Sequence, residues 1–144
     1  VGPDSPEFVA ELGADAEFIL GDSQWDRTMA YEDEYFGTAA DFAQHYHDLY
    51  GEFPPYQVAS STAAALALQL AIETAGTLEM DDVREALRNL EVDTFYGPIA
   101  FDGTGANTAK PMVTVQVIDG AARVVAPVDV AEYELQYPAP GSGR

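Results

Sequence analysis

The sequence predicts an α/β protein, and three observations support this class. The middle of the chain has the apolar spacing of amphipathic helices, residues 16–20 form a short apolar run typical of a buried strand, and the last third carries short apolar runs separated by Asp-Gly turns. The 144 residues are enough for one hydrophobic core. The strands are few for a self-contained doubly wound sheet, so we expect a segment upstream of Val1 to complete it.

The first predicted element is a short helix that begins at Pro6. Asp4 or Ser5 is its candidate cap, since either side chain can accept a hydrogen bond from a free amide of the first turn. Gly13 ends the helix. Residues 16–20 follow as a strand, and residues 22–37, which lack a clean period, are predicted as a connection.

Two longer helices are predicted next. Residues 38–50 form an amphipathic helix, with Thr38 as its cap and Asp41 at the capping-box position. A second helix begins at Tyr56 or Val58 and ends at Ala75. Because it is apolar nearly all round, we expect it to be buried between layers.

The remaining elements are a third helix and a set of strands. The helix begins at Asp81 or Asp82, and its apolar stripe consists of Val83, Ala86, Leu87 and Leu90. Residues 95–101, 112–118 and 122–126 are predicted as strands, with Asp102-Gly103 and Asp119-Gly120 as turns. We expect disorder in the tail, residues 138–144, because it is rich in Pro and Gly.

Charge is the most unusual feature of the composition. The chain has 25 acidic and 6 basic residues, a formal net charge of −19, and its one lysine is Lys110. Such a field repels phosphate backbones and anionic lipids, so nucleic acid is not an expected partner. The charge fits either a high-salt habitat or an ordinary acidic protein with solvated surfaces. No apolar run approaches the roughly 20 residues that a membrane span needs.

No catalytic, metal or cofactor site is predicted. The chain has no cysteine, which excludes disulfides and thiolate chemistry. His45 and His47 lie two residues apart on a helix and face different sides, so a surface pair of His45 with Asp41 is preferred to a metal site. Neither histidine has a serine partner by motif, so we expect no enzymatic activity.

Several short motifs together resemble one protein family. They occur in a fixed order over about residues 1–140: Tyr50-Gly51 with Pro54, Ala71-Ile72-Glu73, Ala75-Gly76, Val83-Arg84, Ala86-Leu87, Thr94-Phe95-Tyr96-Gly97-Pro98-Ile99, Phe101-Asp102, Gly105, Asn107, Gln116, Gly120 and Pro127. In this order the chain resembles the C-terminal half of the branched-chain amino-acid and amide-binding proteins of ABC importers, which have the type I periplasmic binding protein fold.

The resemblance implies a C-terminal fragment of a two-lobed α/β fold. Residues 1–21 would belong to the second lobe, and residues 22–100 would form a crossover and helices that pack on the first lobe. Residues 101–137 would form the return crossover and the last strands, before the tail. We then expect the sheet edges to need the missing N-terminal part of the protein or a swapped copy.

The resemblance also implies four site residues. Asp4 would bind a ligand ammonium, with capping of the helix by Asp4 or Ser5 as the alternative. Trp25 would stack on the ligand, or else pack beneath the hinge. Gly21 and Asp22 would form the hinge, with a plain turn as the alternative at Gly21. Ser61 stands where many relatives have an aromatic residue, so no ligand contact is expected there.

The implied function is solute binding outside the cytoplasm. An amino acid, amide or similar small molecule would be trapped by hinged closure of the lobes, and the closed form would dock on an ABC permease. A ligand-sensing domain of a receptor or regulator with the same fold is the alternative. No cofactor is expected for either function.

Overall fold

The computed structural model describes residues 2–128 and 130–141. The chain divides into two compact units. The first consists of Val1–Asp26 and Met112–Arg144, and the second consists of Arg27–Pro111. The assignment of these units to the lobes of a binding protein stays a prediction. Of the predicted disordered tail, residues 142–144 lie outside the described residues.

Both units mix helices with short antiparallel strands. In chain order the elements are α1 (Pro6–Leu12), a 3₁₀ helix (Gly13–Ala16), β1 (Leu20–Ser23), β2 (Glu32–Asp33), β3 (Gly37–Thr38), α2 (Ala39–Tyr50), α3 (Tyr56–Ala75), α4 (Met80–Arg88), β4 (Glu91–Thr94), β5 (Gly97–Ala100), β6 (Val113–Ile118) and β7 (Ala121–Ala126). The predicted α/β class is confirmed.

The first unit is built on a three-stranded sheet in the order β1-β6-β7. Strand β6 is central and pairs antiparallel with both neighbours. Leu20 of β1 lies opposite Gln116 of β6. The predicted strand over residues 16–20 is wrong, because the 3₁₀ helix ends at Ala16 and the strand begins only at Leu20. Phe18 interrupts the extended run, since its φ of 66° lies in the left-handed region.

The predicted Asp119-Gly120 turn between β6 and β7 is confirmed. Both residues have positive φ, 53° and 71°, as a tight hairpin turn of the I′ type requires. The carboxylate of Glu17 accepts hydrogen bonds from both turn amides, at 2.7 Å from Asp119 N and 3.1 Å from Gly120 N. The turn is therefore held by a side chain from the other end of the sequence.

The second unit contains the three longer helices. The Thr38–Asp41 capping box at α2 and the bounds of α3 are confirmed. The expectation that α3 is buried between layers is wrong: its buried residues form one stripe, and Leu68 is 47% exposed. By length and composition α3 could also cross a membrane, contrary to the sequence expectation; core helices of soluble proteins meet the same test, so this is weak evidence.

Two small hairpins, β2–β3 and β4–β5, complete the second unit. The Asp33 carboxylate joins them, because it accepts hydrogen bonds from the amides of Tyr35 and Phe36 in one hairpin and Phe95 in the other. The Phe95 ring stacks on Phe42 of α2 with 4.1 Å between ring centroids. These contacts place the tip of β4–β5 against α2.

Candidate functional site

Asp4 lies in the turn that precedes α1 and does not cap that helix. Ser5 is the N-cap, and its Oγ accepts a hydrogen bond from Phe8 N at 3.2 Å. The carboxylate of Asp4 turns back toward Gly2, where a Cβ would lie 2.9 Å from Asp4 Oδ1. Asp4 is half-buried, and none of its described neighbours within the protein hydrogen-bonds its carboxylate. The alternative that Ser5 is the cap is therefore confirmed.

Gly21 lies inside strand β1, so the alternative of a plain turn at this position is wrong. It pairs with Val115 across the sheet, and its neighbour Asp22 pairs with Thr114. A Cβ at Gly21 would lie 2.8 Å from the ring of Pro3, so only glycine leaves room for that ring. The turn that carries Asp4 thus packs directly on β1, whereas a hinge at Gly21 and Asp22 stays a prediction.

Trp25 follows β1 by two residues and is only 4% exposed. The Ser23 hydroxyl fixes this corner, because it donates to Trp25 O at 3.0 Å and accepts from Trp25 N at 3.4 Å. Asp4, Gly21, Asp22 and Trp25 are therefore all carried by one strand and the turn packed on it. Stacking of Trp25 on a ligand stays a prediction, and its burial means that a ligand would have to expose the ring.

The contacts of the two histidines differ from the pair of Asp41 with His45 that the sequence predicted. The Asp41 carboxylate accepts a hydrogen bond from Thr38 Oγ1 at 2.7 Å, so the preferred pair of Asp41 with His45 is wrong. The hydroxyl and amide of Thr38 lower the pKa of Asp41. His47 stacks on Phe53 at 4.6 Å. Within the described ranges, no group of three or more His, Asp or Glu side chains could hold a metal ion.

Lys110 is a further candidate that the motifs did not indicate. Its ammonium lies 4.5 Å from the ring centroid of Tyr96 and 5.9 Å from that of Tyr31. Nζ is buried without a hydrogen-bond partner in the described part of the chain. Burial lowers the pKa of Lys110 to about 8. The one available signal in the sequence is that this is the chain's single lysine.

Comparison with solved structures identifies the fold. The leucine-binding protein LivK from Thermotoga maritima MSB8 is 24% identical with a TM-score of 0.72 over 84% of this chain and 33% of its own. A putative branched-chain amino acid ABC transporter from Silicibacter pomeroyi is 18% identical with a TM-score of 0.76, over 96% of this chain and 39% of its own. A substrate-binding protein from Desulfitobacterium hafniense, in complex with Leu, is 22% identical with a TM-score of 0.66, over 82% and 39%.

The chain therefore spans between a third and two fifths of the length of these structures. At these identities the likeness shows the fold, which is that of the type I periplasmic binding proteins. A family model described as "Periplasmic binding protein" matches residues 9–122, which is most of the chain. The protein thus belongs to the periplasmic binding protein family.

Proposed function

We propose that this chain is part of the extracytoplasmic solute-binding component of an ABC importer, and that its ligand is an amino acid, amide or similar small solute. Membership of the family supports this proposal. The structural neighbours include a leucine-binding protein and a substrate-binding protein in complex with Leu. The chain covers less than two thirds of the length of these structures.

The carboxylate of Asp4 carries the proposal. It is half-buried at the start of α1, and no described residue hydrogen-bonds it. Because Ser5 caps the helix, Asp4 is not needed for that role. A carboxylate held in this way suits the ammonium group of an amino acid. Such a charge-assisted hydrogen bond contributes about 1.5–3 kcal/mol.

The path of the chain supports hinged closure. The polypeptide passes from the first unit to the second after Asp26 and returns after Pro111, so two connections can absorb rotation. Gly21 and Asp22 lie in the strand that leads to the first connection. In this proposal the solute stabilises the closed form by binding it more tightly than the open form, and the closed form docks on the permease.

A matched pair of substitutions separates ligand binding from helix capping. In the full-length gene product, Asp4→Asn should weaken the binding of L-leucine about 10- to 150-fold in calorimetry, with the thermal midpoint unchanged. Ser5→Ala should do the reverse: it should cost about 1 kcal/mol of stability and leave affinity near the wild-type value.

Two results would contradict the proposal. One is a wild-type protein that binds no member of a panel of amino acids and amides. The other is an Asp4→Asn variant that loses stability and keeps its affinity, because Asp4 would then be a structural residue. If the panel identifies a ligand other than leucine, the same two variants are compared with that ligand.

A further inference from the structure

The ammonium of Lys110 is buried among residues of the second unit. The Tyr96 and Tyr31 rings flank it. Gly97 forms the floor, since a Cβ there would lie 3.1 Å from both Lys110 Cε and Tyr31 Cε2. The φ of 123° at Gly97 also disfavours any other residue. The lysine is therefore held in one place by backbone and aromatic packing.

Among the described residues this cation has no anionic partner, although the chain has 25 acidic residues. Within residues 2–128 and 130–141, the one ion pair of an arginine or lysine joins Arg84 to Asp81, and His47 lies 3.8 Å from Asp48, with which it forms an ion pair only when protonated. An ammonium has three N–H donors, and Nζ of Lys110 uses none of them on the described residues. The ring faces of the tyrosines stabilise a cation but accept no conventional hydrogen bond. Buried donors of this kind need a partner.

We propose that the ammonium of Lys110 is the binding point for a carboxylate, with Tyr31 and Tyr96 as the walls of the pocket. A carboxylate offers two acceptor oxygens and one negative charge, which suits three donors on one cation. The net charge of −19 disfavours a multiply charged anion such as phosphate. Because Nζ is buried, the anion reaches it only when a flanking side chain moves.

The carboxylate has two possible sources. If the proposed function holds, it belongs to the solute, and this assignment of the source rests on that function. Otherwise it belongs to an Asp or Glu side chain outside the described residues, on the same protein or on a second copy. Unless a polypeptide carboxylate already occupies it, the ammonium should respond to a free carboxylate and not to the matching neutral amide.

Lysine-selective ¹³C labelling tests the proposal directly, because the 144-residue chain contains a single lysine. Its ε-carbon resonance should shift saturably with sodium acetate, and the pKa of Lys110 should rise above about 8. Acetamide, and sodium chloride at the same ionic strength, should leave the resonance in place. A pKa near the ordinary value of 10.5 before acetate is added, together with a loss of stability in Lys110→Met, would assign the carboxylate to the polypeptide.

Calorimetry of the full-length gene product identifies the solute as the source. Lys110→Met should then weaken L-leucine binding about tenfold or more, whereas Arg88→Met, which removes an exposed cation from the same unit, should not. If acetate moves the resonance no more than chloride and Lys110→Met changes neither affinity nor stability, the inference is wrong. Leucine binding by the wild type in that case leaves the proposed function intact. A wild type that binds no solute but responds to acetate would contradict the proposed function and support the inference about Lys110.

Discussion

Gly21 is required by a neighbouring ring and not by its own backbone conformation. The Pro3 ring occupies the space where a side chain of residue 21 would lie, and this contact joins the turn that carries Asp4 to strand β1. Gly103 offers the opposite case, since a Cβ there would meet nothing within 4 Å. The two glycines therefore provide a matched test of how tightly the Asp4 turn is packed.

Gly21→Ala should reduce the free energy of unfolding by about 1–3 kcal/mol, because the added methyl overpacks the contact with Pro3. Gly103→Ala should change it by less than about 0.5 kcal/mol. Urea unfolding of the two variants beside the wild type measures both values. Equal effects would show that the Pro3 ring yields at no cost and that the Asp4 turn is loosely held.

At the scale of elements, helix ends were predictable because their signals are local. Thr38 and Asp41 cap α2 within one turn of the chain, and the bounds of α3 were likewise predicted. Strands β2 to β4 were missed although they lie in local hairpins; β2 and β3 have only two residues each, too few for a period to show in the sequence. The turn after β4 depends on the Asp33 carboxylate, which is 62 residues away from Phe95. No local pattern contains that contact.

The candidate site, too, was predictable only where its signals are local in the sequence. The sequence indicated Asp4, but it could not separate Asp4 from Ser5, since both residue types cap helices equally well. Their roles are distinguished by the side-chain geometry, in which Ser5 accepts the amide bond. Lys110 carried no motif, because its pocket requires Tyr31 and Tyr96 to meet it in three dimensions.

Gln116 joins three segments of the first unit through one buried side chain. Its amide nitrogen donates to Phe18 O and Gln136 O, both at 3.1 Å, and its oxygen accepts from Gln136 N at 3.0 Å. The residue is 1% exposed. The segment around Gln136 is therefore attached to the central strand by side-chain hydrogen bonds that lie outside the sheet ladder.

Gln116→Met should cost about 1–3 kcal/mol, because it leaves buried backbone groups without partners. Hydrogen exchange at the Gln136 amide should also become faster than at other amides of the unit. Gln69→Met is the control: Gln69 donates to Glu73 on the exposed side of α3, a pair that contributes less than about 0.5 kcal/mol. Unchanged exchange at Gln136 in Gln116→Met would refute this role.

At the scale of the whole molecule, self-repulsion dominates the electrostatics. The formal net charge is −19, and among the described residues the one ion pair of an arginine or lysine, Arg84 with Asp81, is at the surface. Surface pairs of this kind contribute little. Stability should therefore depend on how far the solvent screens the remaining carboxylates, which is relevant to the possibility of a high-salt habitat.

Raising sodium chloride from 0.1 M to 1 M should raise the thermal midpoint, because the Debye length falls from about 10 Å to about 3 Å. A variant that neutralises three exposed carboxylates, Glu11→Gln with Asp15→Asn and Glu52→Gln, should show a smaller rise. Differential scanning calorimetry at both salt concentrations measures the difference. A midpoint that is independent of salt in the wild type would contradict this account.

The pairing of β1 with β6 has a consequence for how the protein is made. Ser23 must pair with Val113, about 90 residues later in the sequence. At the usual pace of a ribosome, about 5–20 residues per second, the N-terminal strand waits roughly 5–18 seconds before its partner has been synthesised. Arg27–Pro111 is continuous and can collapse during this interval. Meanwhile the nascent strand keeps an open edge, which is the period in which a chaperone would be of most use.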